Sequence, residues 1–331
     1  MSSTDDFLLS VGGNPFTVIQ TDPETGQPGE VTAWNFGLFS ITQEGTESRE
    51  SRPYLYDALP QAQGAWQGQT VNHHEAVRRV LGKNLPAHLQ PRGTCGGRAG
   101  SRSAELLQLV KIAMGVSAEY KDVSHAWAYF LARRKYNMLR GGDGVAGGSI
   151  PEALEEGGYL TREESGDLSF AGRGSDDLAV KWGGGGLRGD ELERFLTLAK
   201  DNLLVKRVRV RSAQELADGL AIGGVGICSD GQGYSMQRDS RGICHPQGTW
   251  WHYHVRSGVR RISQGVDIFQ YDQSWGDDTP GGPLLEGCPG NVFGVEWAVQ
   301  DRLCRSGEVD VLFDMQLWGE GKLTPDLPWI L

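Results

Sequence analysis

The sequence contains no run of 18 apolar residues, so hydropathy gives no reason to expect a membrane-spanning helix. It also lacks a basic, apolar leader. Residues 1–12 carry Asp5 and Asp6 and no positively charged stretch, unlike a secretory signal. Cysteine is scarce: Cys95, Cys228, Cys244, Cys288 and Cys304 are odd in number and far apart in 331 residues. That is no disulfide framework, and it fits synthesis in a reducing cytoplasm. Dense basic runs are missing as well. The 32 Lys and Arg against 42 Asp and Glu give a net charge of −10, a poor balance for gripping a phosphate backbone, so no nucleic-acid partner is expected. The one basic stretch interleaves Lys206, Arg207, Arg209 and Arg211 with Val205, Val208 and Val210, and reads as a strand with one solvated face.

Glycine is in excess. Its 48 residues are about twice the average share of roughly 7%. They follow no strict period, which points to many turns and close backbone approaches. Hydrophobic residues make up 38% of the chain, enough for a core of ordinary size. The length fits one large domain or two smaller ones.

Residues 1–70 differ from the rest. Short β-like runs at 7–11, 16–19 and 32–41 are separated by turn segments such as Asp22-Pro23-Glu24-Thr25-Gly26. They suggest an extension or a small β-subdomain. A helical block follows Cys95, where Leu106, Leu109, Val110, Ala113 and Met114 form an apolar stripe at helical spacing. Ser124 is placed to cap a second helix over 125–137 with Trp127, Phe130 and Leu131 inward. Ser149 and Pro151 open a third, stopped by Gly157-Gly158. A helix over 190–200 follows the Gly-rich stretch 183–186, and Ser212 with Glu215 makes a capping box for another. The second half turns β-rich, with strands expected at 203–210, 225–228, 251–256, 266–271 and 292–297. Helices first and strands second is an α+β arrangement, compatible with two lobes and a cleft.

Three segments carry residues suited to chemistry. In Gly93-Thr94-Cys95-Gly96-Gly97, a cysteine opens an amphipathic helix, where the dipole and free N–H groups favour thiolate over thiol. A thiolate needs an imidazole to hold the ion pair and protonate a leaving group. In Gly248-Thr249-Trp250-Trp251-His252-Tyr253-His254, two histidines at i and i+2 share one face of a strand. A zinc site drawing on Cys228, Cys244, His245, His252 and His254 finds no supporting C-x2-C or H-x3-H spacing, so no metal or other cofactor is expected. In Asp272-Gln273-Ser274-Trp275-Gly276, a side-chain amide is placed to orient an imidazole, and a tryptophan to shield that contact from water.

A cysteine at a helix start, a histidine on a strand 157 residues later, and an amide-Ser-Trp-Gly a further 21 residues on resemble the papain-like cysteine peptidases. The likeness runs from about residue 85 to 315. It is closest to the papain-like proteins encoded by tailed bacteriophages, through Gly93-Thr94-Cys95, Ser124-His125-Ala126-Trp127, the segment from Gly142-Asp143-Gly144 to Tyr159, Cys228-Ser229, Gln232-Gly233-Tyr234-Ser235 and Gly248-Thr249-Trp250. The resemblance implies a two-lobed papain-like domain over 71–331, with a helical lobe at about 85–200 and a β-rich lobe at about 201–315. It implies Cys95 as nucleophile, His252 as base and Gln90 as the oxyanion-hole amide. Gln273 falls in the place of the orienting Asn and Trp275 in that of the shielding aromatic, while Gly96, Gly97, Trp251 and His254 fall at or near the cleft.

The sequence also departs from the pattern. Gln273 is one methylene longer than Asn. Gln90 precedes Cys95 by five residues rather than six. A second register puts Arg98 in the nucleophile's place, and His254 competes with His252 as base. Two functions follow from the resemblance. One is a cysteine peptidase or amide hydrolase acting on a protein or peptide, such as a phage capsid or tail precursor or the peptide stems of a bacterial cell wall. The other is a structural component of a phage particle, made in the bacterial cytoplasm and incorporated into the virion, with the peptidase fold kept as a scaffold and other phage structural proteins as partners.

Overall fold

The computed structural model describes residues 15–21, 28–34, 38–39, 52–116, 118–139, 143–167, 175–202, 205–262, 265–277 and 279–329. The expected strand at 7–11 lies outside them. The strand expected at 16–19 is β1 (Pro15–Thr21), which pairs antiparallel with β2 (Pro28–Trp34). The run expected at 32–41 is divided between the end of β2 and β3 (Leu38–Phe39). Residues 55–66 join the main body: Leu55, Leu59, Ala62 and Trp66 are buried in its core. The Asp218 carboxylate accepts from Gly64 N at 2.9 Å and Trp66 N at 2.7 Å.

β4 (Val71–Asn72) leads into α1 (His73–Leu81), where the Asn72 side chain caps by accepting from His74 N, and Gly82 ends the helix at φ 71°. The long helix α2 (Cys95–Ala113) carries the expected stripe, and every residue from Cys95 to Val110 is buried. Its full burial has a simple cause: other helices pack on one side and the sheet on the other. α3 (His125–Lys135) starts on Ser124, which accepts from Trp127 N. It ends two residues before Asn137, which takes a left-handed φ of 53° that does not continue a helix. After β5 (Val145–Ala146) comes α4 (Ser149–Gly157). Gly158 stops α4 at φ 66°, and a Cβ there would collide with the Ala199 carbonyl. α5 (Gly189–Lys200) and α6 (Ala213–Ala221) follow. Ser212 caps α6 through Glu215 N, but the Glu215 carboxylate accepts from Tyr56 N and Arg211 N. A reciprocal capping box forms instead at Thr161 and Glu164.

The sheet strands are β6 (Val205–Arg209), β7 (Val225–Tyr234), β8 (Pro246–Arg261), β9 (Asp267–Asp272), β10 (Val292–Glu296) and β11 (Val309–Asp314), with α7 (Trp297–Arg305) between the last two. They pair antiparallel in the order β10-β9-β8-β7-β11-β6, and β4 adds to β8. β8 is much longer than expected because β7 pairs with its residues 246–256 and β9 with its residues 255–261. Both sheet faces are buried. Val225, Ile227, Tyr253, Val255 and Leu312 face α2 and the helical core. Cys228, Tyr234, Phe269, Tyr271, Phe293 and Val311 face the core shared with α6 and α7. Each fully buried Leu or Phe contributes about 1.5–3 kcal/mol relative to exposure. Alternation along β8 therefore sends neighbouring residues into different environments. No helix among the described residues is long and apolar enough to cross a membrane.

Candidate active site

Cys95 is the first residue of α2, placed there by the turn through Gly93 and Thr94. Two close approaches fix this helix end. A Cβ on Gly96 would meet Val145 Cγ2 at 2.5 Å, and one on Gly97 would meet the His125 carbonyl at 2.5 Å. Gly96 and Gly97 are buried and let β5, α4 and α3 press against the start of α2. Burial pushes the Cys95 thiol up to about 12, while the N–H groups of Tyr253 and Gly96 and the Gln90 amide pull the other way.

Gln90 is also fully buried. Its amide lies beside the Cys95 thiol and favours the thiolate, and its Nε2 donates to Arg92 O at 3.3 Å. Its Oε1 accepts from Ser274 Oγ, and its backbone N donates to Ser274 O at 2.9 Å. Next to Ser274, Trp275 pairs with Leu89 across an isolated bridge and stacks on the His252 ring at 4.6 Å between centroids, 28° between planes. Cys95, Gln90, Ser274, Trp275 and His252 thus form one continuous set of contacts between the helical half and the sheet.

The two histidines of β8 separate by surroundings. His252 lies between Trp275 and His254, whose ring meets it edge-on at 4.7 Å. Neither ring nitrogen of His252 has a hydrogen-bond partner among the described residues. Burial first, then His254 and Arg256, hold its imidazole well below the ordinary range. His254 faces Tyr234, Tyr271 and Phe293. Its Nδ1 lies 3.7 Å from the Asp230 carboxylate. Burial lowers its imidazole, against the pull of Asp230.

Other expected residues fall elsewhere. The Gln273 amide donates to Thr279 O and accepts from Trp275 N, so it braces its own loop. Arg98, the competing position, is buried against Asp176 at 2.8 Å, and Asp176 Oδ1 is 3.3 Å from His125 Nε2. Trp251 is 43% exposed, beyond Gly231, whose added Cβ would meet its ring at 3.4 Å. Of the zinc candidates, Cys228 donates to the Asp230 carboxylate that His254 also faces, while His245 lies 3.1 Å from Asp239. Among the described residues no group of three or more His, Cys, Asp or Glu is arranged to hold a metal ion.

Sequence reasoning passed over three contributors. Trp250 meets Trp275 edge-on at 4.9 Å. Asp176 accepts from Arg92 N, steadying the loop before Cys95. Tyr253 donates its backbone N–H to the Cys95 sulfur. Strand alternation around His252 was a signal for Tyr253; for Asp176, remote in sequence, there was none.

A long helix opening on a cysteine and packed against an antiparallel sheet that carries the histidine is the papain-like cysteine protease fold. Xylellain, a cysteine protease from Xylella fastidiosa, superposes with a TM-score of 0.55 at 12% identity, over 85% of this chain and 96% of its own. Procathepsin B S9 from Trypanosoma congolense gives 0.54 at 9% identity, over 84% and 86%. No family model matches the sequence, and no curated protein matches it. At these identities the likeness establishes the fold.

Proposed function

We propose that the chain is a cysteine peptidase or related amide hydrolase with Cys95 as nucleophile and His252 as base. The observation that carries this reading is the unbroken path from the Cys95 sulfur through Gln90 and Ser274 to Trp275 and the His252 ring. The Cys95 proton passes to His252 and the sulfur attacks the acyl carbon. The Gln90 amide and the Cys95 backbone N–H receive the developing oxyanion. Collapse breaks the C–N bond, with His252 returning its proton to the leaving amine, and water then hydrolyses the thioester. Thiol and imidazole are both neutral in the resting geometry, so the reading requires His252 to turn toward Cys95 as substrate binds. The fit is to a protein or peptide substrate, with Gly96, Gly97, Trp251 and His254 shaping the cleft and its rear. Gln273 would act through the Trp275 loop.

A second reading is favoured by the buried, high-pKa thiol and the unbonded His252 nitrogens. In it the papain-like domain over 71–331, with its extension over 1–70, serves as a structural part of a phage particle. The test is alkylation with a thiol-directed peptidyl epoxide from pH 5 to 9, mapped by mass spectrometry. Selective labelling of Cys95 below pH 7 that disappears in His252→Ala establishes the catalytic pair. Labelling only above about pH 8.5, as for a free thiol, leaves the structural reading.

A further inference from the structure

In the antiparallel β7–β8 pair, Asp230 lies across from His252 and Cys228 across from His254. Alternation along both strands puts these four side chains on one face of the sheet, and all four are buried. The Asp230 carboxylate is held from several sides. Its Oδ1 accepts from Gln232 N at 2.8 Å, and its Oδ2 from Cys228 Sγ at 3.3 Å and Arg256 Nη2 at 3.5 Å. Arg256 is fixed in turn by Gln300 Oε1 at 2.9 Å and by the Tyr271 ring beneath it. Burial pushes the Asp230 carboxyl up, but His254, Arg256 and Cys228 together hold it below the ordinary range, so it is ionised.

Asp230 Oδ2 lies 3.7 Å from His254 Nδ1, just outside hydrogen-bond range. The other rings around His254 are Tyr234, Tyr271, Phe293, Trp275 and His252. His254 Nε2 has no partner among the described residues, and neither has either ring nitrogen of His252. Trp275, packed on the other side of His252, has an indole N–H that can only donate. Of the two rings against His252, His254 is the one that can accept a hydrogen bond from it.

We infer that His254, backed by Asp230, positions His252 for proton transfer, a task for which the Gln273 amide, bonded to Thr279 O and Trp275 N, is not placed. The inference rests on the Cys95–His252 pair proposed above. With its proton on Nδ1, toward Asp230, His254 presents Nε2 as an acceptor. The N–H of His252 then points to His254, and its bare nitrogen is left for Cys95. The thiol proton passes to that nitrogen and leaves a thiolate and an imidazolium. No proton moves beyond His252. His254 stays neutral and Asp230 stays ionised, and the negative charge behind the two rings favours the imidazolium.

The test follows alkylation of Cys95 by iodoacetamide from pH 5 to 9, mapped by mass spectrometry, with the melting temperature recorded for each variant. Labelling of the wild-type protein is expected to set in below pH 7. Asp230→Asn keeps the shape and removes the charge. His254→Phe keeps a ring among its aromatic neighbours and removes the acceptor, and it serves should the loss of charge beside Arg256 prevent folding. In both, the onset of labelling is expected to move up by about one pH unit or more, equivalent to about a tenfold fall in thiolate at a given pH. His254→Gln retains a side-chain acceptor and is expected to keep the onset close to wild type. A purely structural network would lower the melting temperature and leave the onset in place. An unchanged onset in Asp230→Asn and His254→Phe, or an onset in His254→Gln displaced as far as in His254→Phe, overturns the inference. A wild-type protein that is not labelled at Cys95 below pH 7 defeats the Cys95–His252 pair itself, and the positioning role with it, so the two failures are read apart.

Discussion

The Ser274 hydroxyl donates a hydrogen bond to Gln90 Oε1 and so fixes the Gln90 amide, whose Nε2 donates to the Arg92 carbonyl at 3.3 Å, beside the Cys95 thiol. A residue of the loop after β9 thereby sets the orientation of a residue five positions before the cysteine. Replacing Gln90 removes the donor and leaves the thiol in place. Gln90→Ala is expected to lower kcat by about 10²–10³-fold, the usual loss for one oxyanion donor, with little change in KM. Steady-state kinetics on a peptide amide check it, and an unchanged kcat removes Gln90 from the oxyanion site.

Gln273 is expected to behave differently. Its amide bonds Thr279 O and Trp275 N, not His252. Gln273→Ala should loosen the loop and lower the melting temperature, yet reduce kcat by less than Gln90→Ala does. A larger kcat loss would show that Gln273 reaches the imidazole during turnover.

Gly97 tests the packing around the helix start. An added methyl meets the His125 carbonyl at 2.5 Å and Tyr129 Cβ at 2.9 Å. Gly97→Ala is expected to destabilise by about 1–3 kcal/mol, the range for overpacking a core, as read from urea unfolding. Wild-type stability would mean that α2 and α3 part without cost.

Arg102 lies between two buried carboxylates, 3.4 Å from Asp272 and 3.5 Å from Glu105, and links α2 to β9. Arg102→Met leaves both acids without this partner. The expected loss is about 3–5 kcal/mol, as for breaking a buried pair. Equilibrium denaturation measures it, and a loss well under 1 kcal/mol contradicts this role.

His73 carries a pH dependence. Burial pushes its imidazole down to about 4, opposed by its hydrogen bond to Gly224 O. The unfolded chain therefore binds the proton more readily between pH 6.5 and 4. The stability from a neutral His73 is complete above pH 6.5 and falls away as pH drops toward 4, by up to about 3 kcal/mol. His73→Gln should flatten the urea midpoint against pH over this window. The slope should shrink without vanishing, because His74 and His88 are lowered too. An unchanged slope assigns the acid sensitivity elsewhere.

Local signals were legible where a short segment settles its own geometry. The apolar stripe on α2, the Ser124 cap and the Gly158 stop all appear where spacing and turn chemistry place them. The ends of β8 were not legible, because its extra residues are held by β7 and β9 rather than by their own propensity. Asp176 was invisible for a similar reason: it meets Arg98 across 78 positions of sequence.

The sequence by itself determined the order of the chemistry-bearing residues and the elements beneath them: a cysteine opening a helix, a histidine on a strand, and an amide-Ser-Trp-Gly after the next strand. Hydrophobic period and capping act over a few residues and need no distant partner. Only the tertiary structure decided which side chains meet. It placed Gln90 on Cys95, drew the Gln273 amide into its own loop, set His254 behind His252, and filled the space beside the thiol with Tyr253. Those outcomes depend on how α2 seats on the sheet, where close packing gives each side chain one arrangement and the one-dimensional pattern does not record it.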